Sequence, residues 1–176
     1  MTDLIGEDWT RGTTVGVPSE TVTESQSIDL GRRSVAVQVL AGGHTPGDLL
    51  VVDDASGTVF AGDLVFNGRA ATVPHAHIAT WRGHLASLVE SPWQRLVPGH
   101  GPLVEDRDEL AQVADYLTFL EQHSACSYRR GDSPVEAIQR QPPPPFDALA
   151  NIDREYQRAI FQLFRAYDRG PIPDCG

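Results

Sequence analysis

Short runs of β-branched and other apolar residues alternate with turn residues through the middle of the chain. VAVQVL at 35–40, LLVVDD at 49–54 and TVFAGD at 58–63 are separated by GGHTPGD and by ASG. Runs of this kind, bounded by Gly, Pro and Ser, predict three strands. LLVV is apolar at every position, which predicts a strand buried on both faces of its sheet. QRLVPGHG at 94–101 predicts a fourth strand.

Three other stretches have helical periodicity, one between the third and fourth predicted strands and two after the fourth. Apolar residues three to four apart predict a helix over 79–90 that Pro92 ends, and two more over 105–123 and 151–170. Four prolines at 142–145 must interrupt regular structure. The last helix has an apolar face that we expect to cover the sheet, formed by Tyr156, Ile160, Phe161 and Phe164.

These elements predict an α/β protein in three parts. Residues 1–30 mix Gly, Ser, Thr and Glu without periodicity and are interpreted as an irregular lead-in. Residues 31–125 hold the predicted sheet with its first two helices, and residues 126–176 form a helical C-terminal extension.

Composition narrows the class of partner. The chain has 176 residues, 40% of them hydrophobic, which fits a globular domain with its own core. Its net charge of -10 argues against nucleic acid and anionic membranes as partners. No apolar run reaches the roughly 18 residues of a membrane helix and no signal-peptide pattern is present, so we expect a cytoplasmic protein. Its two cysteines, Cys126 and Cys175, are interpreted as structurally incidental.

Three short segments each place a potential metal ligand at a strand end. They are GGHTPGDLLV at 42–51 with His44, FAGDLVF at 60–66 with Asp63, and LVPGHG at 96–101 with His100. Imidazole nitrogen and carboxylate oxygen are ligands that zinc prefers, and the neighbouring Gly and Pro allow sharp turns. Each segment alone is weak, because a lone histidine is more often structural and Gly-Asp is more often a turn. The three segments in this order are far more specific for a metal site than any one of them alone.

Over residues 42–101 the three segments together resemble the C-terminal half of a metallo-β-lactamase-fold hydrolase. The resemblance implies an αββα sandwich, of which this chain carries the second half followed by a helical extension. It also implies that His44 binds one zinc ion, that Asp63 bridges or binds a second, and that His100 completes the second site. Asp63 is therefore the candidate catalytic residue, and hydrolysis of a small-molecule substrate by zinc-activated water is the implied chemistry.

The leading motif of that family, His-x-His-x-Asp-His, does not occur in residues 1–43, where no histidine precedes His44. His44, Asp63 and His100 thus offer about half of the usual dizinc ligand shell, and we expect an N-terminally truncated chain with an incomplete site. Because the expected ligand set is incomplete, the sequence leaves open whether the protein is an enzyme. The alternatives are a non-catalytic fold remnant that acts as a binding or oligomerisation module and, more remotely, an iron-containing redox relative. A half-fold should expose a sheet edge or an apolar face, so a homodimer or a separate N-terminal half is expected as partner.

Other residues are weaker candidates for a functional role. His75 and His77 have a metal-ligand spacing but stand in the wrong place for the leading motif, and histidines before a helix are commonly exposed or capping residues. Arg69 is a candidate contact for an anionic substrate. The C-terminal region, with SPVEAI and FDALANIDREYQRAIFQLF, loosely resembles the quinoprotein-associated zinc metallohydrolases related to SoxH.

Overall fold

A computed structural model describes residues 11–175 and shows a mixed α/β fold. The strands are β1 (Gln26–Asp29), β2 (Ser34–Leu40), β3 (Asp48–Asp53), β4 (Thr58–Phe66) and β5 (Arg95–His100). The helices are α1 (Ile78–Glu90), α2 (Arg107–Arg129), α3 (Pro134–Gln139) and α4 (Ile152–Tyr167), with a single 3-10 turn at Phe146–Ala148. The predicted α/β class and the helical C-terminal part are confirmed.

All five strands form one sheet in the order β1-β2-β3-β4-β5. The first four are antiparallel neighbours, and β5 pairs with β4 in parallel. A parallel pair needs a crossover connection, and α1 lies in it. The ends of β4 and β5 therefore meet at one edge of the sheet, where Phe66 stands opposite His100.

Helices cover one face of this sheet. Helix α1 contacts β4 and α2, and α2 contacts α4. The core is continuous across these contacts, from Leu50 and Leu96 on the sheet to Leu85 on α1 and Leu117 on α2. Trp81 of α1 is fully buried, and its indole Nε1 donates a hydrogen bond to the carbonyl of Leu64 at 2.8 Å. This bond fixes α1 against the strand that carries Asp63.

The structure corrects several boundaries. Strand β1 lies within the segment predicted to be irregular, of which residues 1–10 lie outside the described residues. Helix α2 runs through the predicted division at 125/126. Strand β3 is not buried on both faces, because Leu49 is 37% exposed. Helix α4 packs against α2 and α3 and does not cover the sheet.

The interpretation of the cysteines is wrong. Cys126 near the end of α2 forms a disulfide with Cys175, with the two Cα atoms 5.1 Å apart. The same tail is held by Arg129, whose guanidinium donates to the carbonyls of Ile172 at 3.0 Å and Pro173 at 3.2 Å. Two cysteines 49 residues apart carry no pairing signal in sequence, and only the return of the chain to α2 brings them together.

None of the helices among residues 11–175 combines the length and apolar character needed to cross a bilayer.

Candidate metal centre

Asp63 and His100 are brought together by the parallel pairing of β4 and β5. Asp63 lies in the second half of β4, where the pairing is irregular between Gly62 and Phe66. His100 is the last residue of β5, and its Nε2 lies 3.4 Å from Asp63 Oδ1. The two side chains are each 41% exposed, so both are open to a ligand from solvent.

Gly99 allows this close approach. A Cβ atom at position 99 would lie 2.6 Å from the carbonyl carbon of Gly62 and would also collide with Asp63 Oδ1. Only a residue without a side chain fits between the two strands there. The glycine in the Pro-Gly-His sequence that ends β5 is therefore required by the backbone of Gly62 and the carboxylate of Asp63 on the neighbouring strand.

His44 joins the group from the loop between β2 and β3. Its ring packs against Phe66 with a centroid distance of 5.6 Å and against Trp81 at 5.2 Å. Phe66 also stacks on His100 at 4.9 Å, so both imidazoles contact the same aromatic ring. His44 Nε2 lies 3.1 Å from the hydroxyl of Thr72, which orients the imidazole. His44, Asp63 and His100 are thus gathered at one edge of the sheet.

The loop that presents His44 is held by Asp48. The Asp48 carboxylate accepts from the backbone N–H of Thr45 at 3.0 Å and from its hydroxyl at 2.7 Å. Gly43 is needed on the other side, because a Cβ there would lie 2.6 Å from Asp48 Oδ2 and 2.7 Å from Leu64. The carbonyl of Gly43 accepts from the N–H of His77 at 2.9 Å, which ties the loop to the start of α1.

Burial changes the acid-base behaviour of His44. Removal from water disfavours the imidazolium and lowers the pKa of His44 below 6.5, although the negative charges of Asp63 and Asp48 act in the opposite direction. His44 is only 9% exposed, which agrees with burial as the larger effect. A neutral imidazole keeps a lone pair, and that is the form in which histidine binds metals.

Arg69 lies beside the candidate ligands. Its Nη1 is 3.4 Å from His100 Nδ1, and its guanidinium lies 5.8 Å from the centroid of Phe66. Its Nε is buried without a hydrogen-bond partner, and no carboxylate of the described chain pairs with it. The backbone at Arg69 forms a bridge to Ala150, so the segment before α4 holds this loop in place.

Neither His75 nor His77, the two other candidate ligands, is in a ligand arrangement. His77 is the N-cap of α1, and its Nδ1 lies 2.8 Å from the Thr80 hydroxyl. The capping interpretation is therefore confirmed for His77, while His75 is exposed. Across residues 11–175, no cluster of three or more His, Cys, Asp or Glu side chains is close enough to hold a metal by itself. The sequence did not point to Phe66, Thr72 or Trp81, since aromatic and hydroxyl residues near a ligand have no distinctive spacing.

Comparison with solved structures identifies the architecture. A metallo-β-lactamase from Pontibacter korlensis superimposes with a TM-score of 0.51 and 24% identity, over 58% of this chain and 50% of that one. The stereoselective inverting sec-alkylsulfatase Pisa1 from Pseudomonas sp. superimposes with a TM-score of 0.60 and 15% identity, over 87% of this chain. This chain has part of the metallo-β-lactamase fold. Metallo-β-lactamase IND-7 agrees, with a TM-score of 0.52 and 18% identity.

The metallo-β-lactamase fold is present here only in part. The chain spans 50% of the Pontibacter protein, 49% of IND-7 and 28% of the alkylsulfatase. At these identities the similarity concerns the fold, and activity has to be argued from the site. No protein-family model and no curated protein matches the sequence.

Proposed function

We propose that this chain contributes His44, Asp63 and His100 as ligands to the active site of a zinc-dependent hydrolase. The observation that supports the proposal is the contact between Asp63 in the second half of β4 and His100 at the end of β5, with His44 packed on the same Phe66 ring. Residues from three separate segments converge at one edge of a metallo-β-lactamase fold. A purely structural role would not require an exposed carboxylate and an exposed imidazole to share that edge.

The donor atoms fit zinc in kind but not in number. Two imidazoles and one carboxylate are suitable ligands, yet within residues 11–175 no three such side chains are close enough to hold one ion, and a dizinc site needs more than three ligands. The His-x-His-x-Asp-His motif that would supply the others occurs nowhere in the sequence. We therefore propose that these three residues are a partial ligand set.

The residues of this chain would have distinct tasks in such a site. Bound zinc would supply Lewis-acid chemistry, lowering the pKa of water and polarising the oxygen of a substrate. Thr72 holds the His44 ring in one orientation, and Trp81 with Phe66 keeps water from its flank. Asp63, packed against Gly99 on one side and open to solvent on the other, faces the space in which a substrate would bind.

Metal content of the purified protein tests the proposal. After loading with zinc, the wild type should hold more zinc than His44→Ala, Asp63→Ala and His100→Ala, measured by plasma mass spectrometry for zinc and iron. Asp115→Ala is the control, because Asp115 is an exposed carboxylate on α2 and makes none of the contacts of this group. Equal metal in all five proteins, with folding checked by circular dichroism, would contradict the ligand assignment. Iron in place of zinc would favour the redox alternative.

An exposed apolar sheet face supports a second candidate, a binding or oligomerisation module. Leu50, Val52 and Val59 line a cavity beneath α1, so residues at alternate positions face away from that helix. Among them, Leu49 is 37% exposed and Phe60 is 46% exposed. Apolar residues left open on adjacent strands mark a surface that another layer can cover.

Light scattering coupled to size exclusion tests this second candidate. If two copies pack through this face, the wild type is a dimer and Phe60→Lys is a monomer. Phe161→Lys is the matched control, because Phe161 on α4 is 45% exposed but lies away from the sheet. A monomeric wild type would exclude self-association and leave a different chain as the covering layer.

A further inference from the structure

The two ring nitrogens of His100 contact groups with opposite hydrogen-bonding character. Nε2 lies 3.4 Å from Asp63 Oδ1, a carboxylate that only accepts. Nδ1 lies 3.4 Å from Arg69 Nη1, and a guanidinium has five N–H donors and no acceptor. A neutral imidazole carries one N–H and one lone pair. The contact with Arg69 is satisfied only when the lone pair is on Nδ1, which leaves the hydrogen on Nε2, beside the Asp63 carboxylate.

This arrangement conflicts with metal binding. A metal ion shared by Asp63 and His100 has to use the lone pair of Nε2, since that nitrogen faces the carboxylate. The ring hydrogen must then move to Nδ1, where it meets the N–H of Arg69. Metal-binding histidines almost always donate their second N–H to a carboxylate, a backbone carbonyl or water. Arg69 is instead a hydrogen-bond donor, so it cannot accept a hydrogen bond from that N–H.

We propose that Arg69 sets the metal affinity of this site by holding His100 in the tautomer that cannot bind metal through Nε2. The inference rests on the proposed function, because it assumes that His100 is a ligand. Arg69 has to leave Nδ1 before His100 and Asp63 can share an ion. No carboxylate of the described residues pairs with its guanidinium, so no ion pair competes with its contact to His100.

The tautomer of His100 can be observed without any metal. Long-range proton–nitrogen NMR of the metal-free wild type, at a pH where the ring is neutral, should show the hydrogen on Nε2. In Arg69→Gln the population with the hydrogen on Nδ1 should rise, because the amide oxygen of glutamine can accept it. A wild-type ring with the hydrogen on Nδ1 would overturn the proposal.

Zinc affinity provides the second measurement, by calorimetry with a competing chelator. Arg69→Gln should bind zinc about tenfold more tightly than wild type, a change of the size expected for one hydrogen bond. Arg69→Lys should stay close to wild type, because an ammonium group also only donates. Arg95→Gln removes the same charge at the exposed start of β5 and should also stay close to wild type.

The outcomes distinguish the role of Arg69 from the proposed zinc-binding function of the site. Weaker or unchanged binding in Arg69→Gln overturns the role of Arg69 while leaving the ligands in place. Equal tightening in Arg95→Gln also overturns it, because net charge would then be the cause. If no protein binds zinc, the proposed function fails and the metal role of Arg69 fails with it, while the NMR experiment still reports whether Arg69 selects the tautomer.

Discussion

Gly99 is the position at which one methyl group should damage both the fold and the candidate site. In Gly99→Ala the new Cβ would lie 2.6 Å from the carbonyl carbon and 2.7 Å from the carbonyl oxygen of Gly62, and closer still to Asp63 Oδ1. Comfortable contacts between such atoms are roughly 3.5–4.0 Å, so the strands or the carboxylate must move by about 1 Å. Because two of the three opposing atoms belong to the backbone of β4, rotation of a side chain cannot relieve the collision.

Overpacking of this kind typically costs about 1–3 kcal/mol, and the backbone contacts place Gly99→Ala near 3 kcal/mol. In a domain of this size that corresponds to a fall in melting temperature of about 6–12 °C. Urea unfolding and calorimetry would measure the loss, and zinc affinity would report displacement of Asp63. Gly47→Ala is the control, because nothing lies within 4 Å of a Cβ there. A Gly99→Ala protein within about 0.5 kcal/mol of wild type would refute the close packing of β4 on β5.

Three further predictions concern stability. Gly83→Ala on α1 should raise the free energy of unfolding in urea by about 0.5–1 kcal/mol, because alanine favours a helix and a Cβ at position 83 would meet nothing within 4 Å. An unchanged free energy of unfolding would contradict this prediction. Cys175→Ser should cost about 2–4 kcal/mol by opening a loop of 49 residues, and wild type in reductant should melt like the variant if the disulfide is the cause. Burial lowers the pKa of His123 below 6.5, so the unfolded state takes up a proton first as pH falls, and stability should decrease as the pH falls through about 6.5 and below. His123→Gln should flatten this decline in melting temperature, and parallel declines in both proteins would contradict it.

Local patterns predicted most of the regular elements. The three central strands, the strand before His100 and the long helices were visible because β-branched runs and helical spacing extend over enough residues to be distinctive. Strand β1 was missed, since QSID has no strand signal of its own and is ordered by pairing with β2. Helix α3 has only six residues, and its signals are the Ser133 to Glu136 capping box and Pro134 at its start.

His123 shows how a neighbour changes the meaning of a residue. The helix predicted over 105–123 ends at His123. In the structure α2 continues to Arg129, and His123 Nε2 lies 3.0 Å from the carbonyl of Ala137 and 2.9 Å from the hydroxyl of Tyr156. The helix continues because Ser124 and Ala125 are buried by later segments, among them Tyr167, whose hydroxyl lies 2.8 Å from Ser124 Oγ.

The sequence by itself determined which residue types stand at the strand ends, because Gly-His, Gly-Asp and Pro-Gly-His are local features in a fixed order. It could not determine that Arg69 would lie on His100, that Phe66 would contact both imidazoles, or that Cys126 would meet Cys175. Those contacts join residues far apart in the chain, and their distances follow from strand register and helix packing. Tertiary structure therefore decided the neighbours of each candidate ligand, and those neighbours set its orientation, its tautomer and its access to a metal.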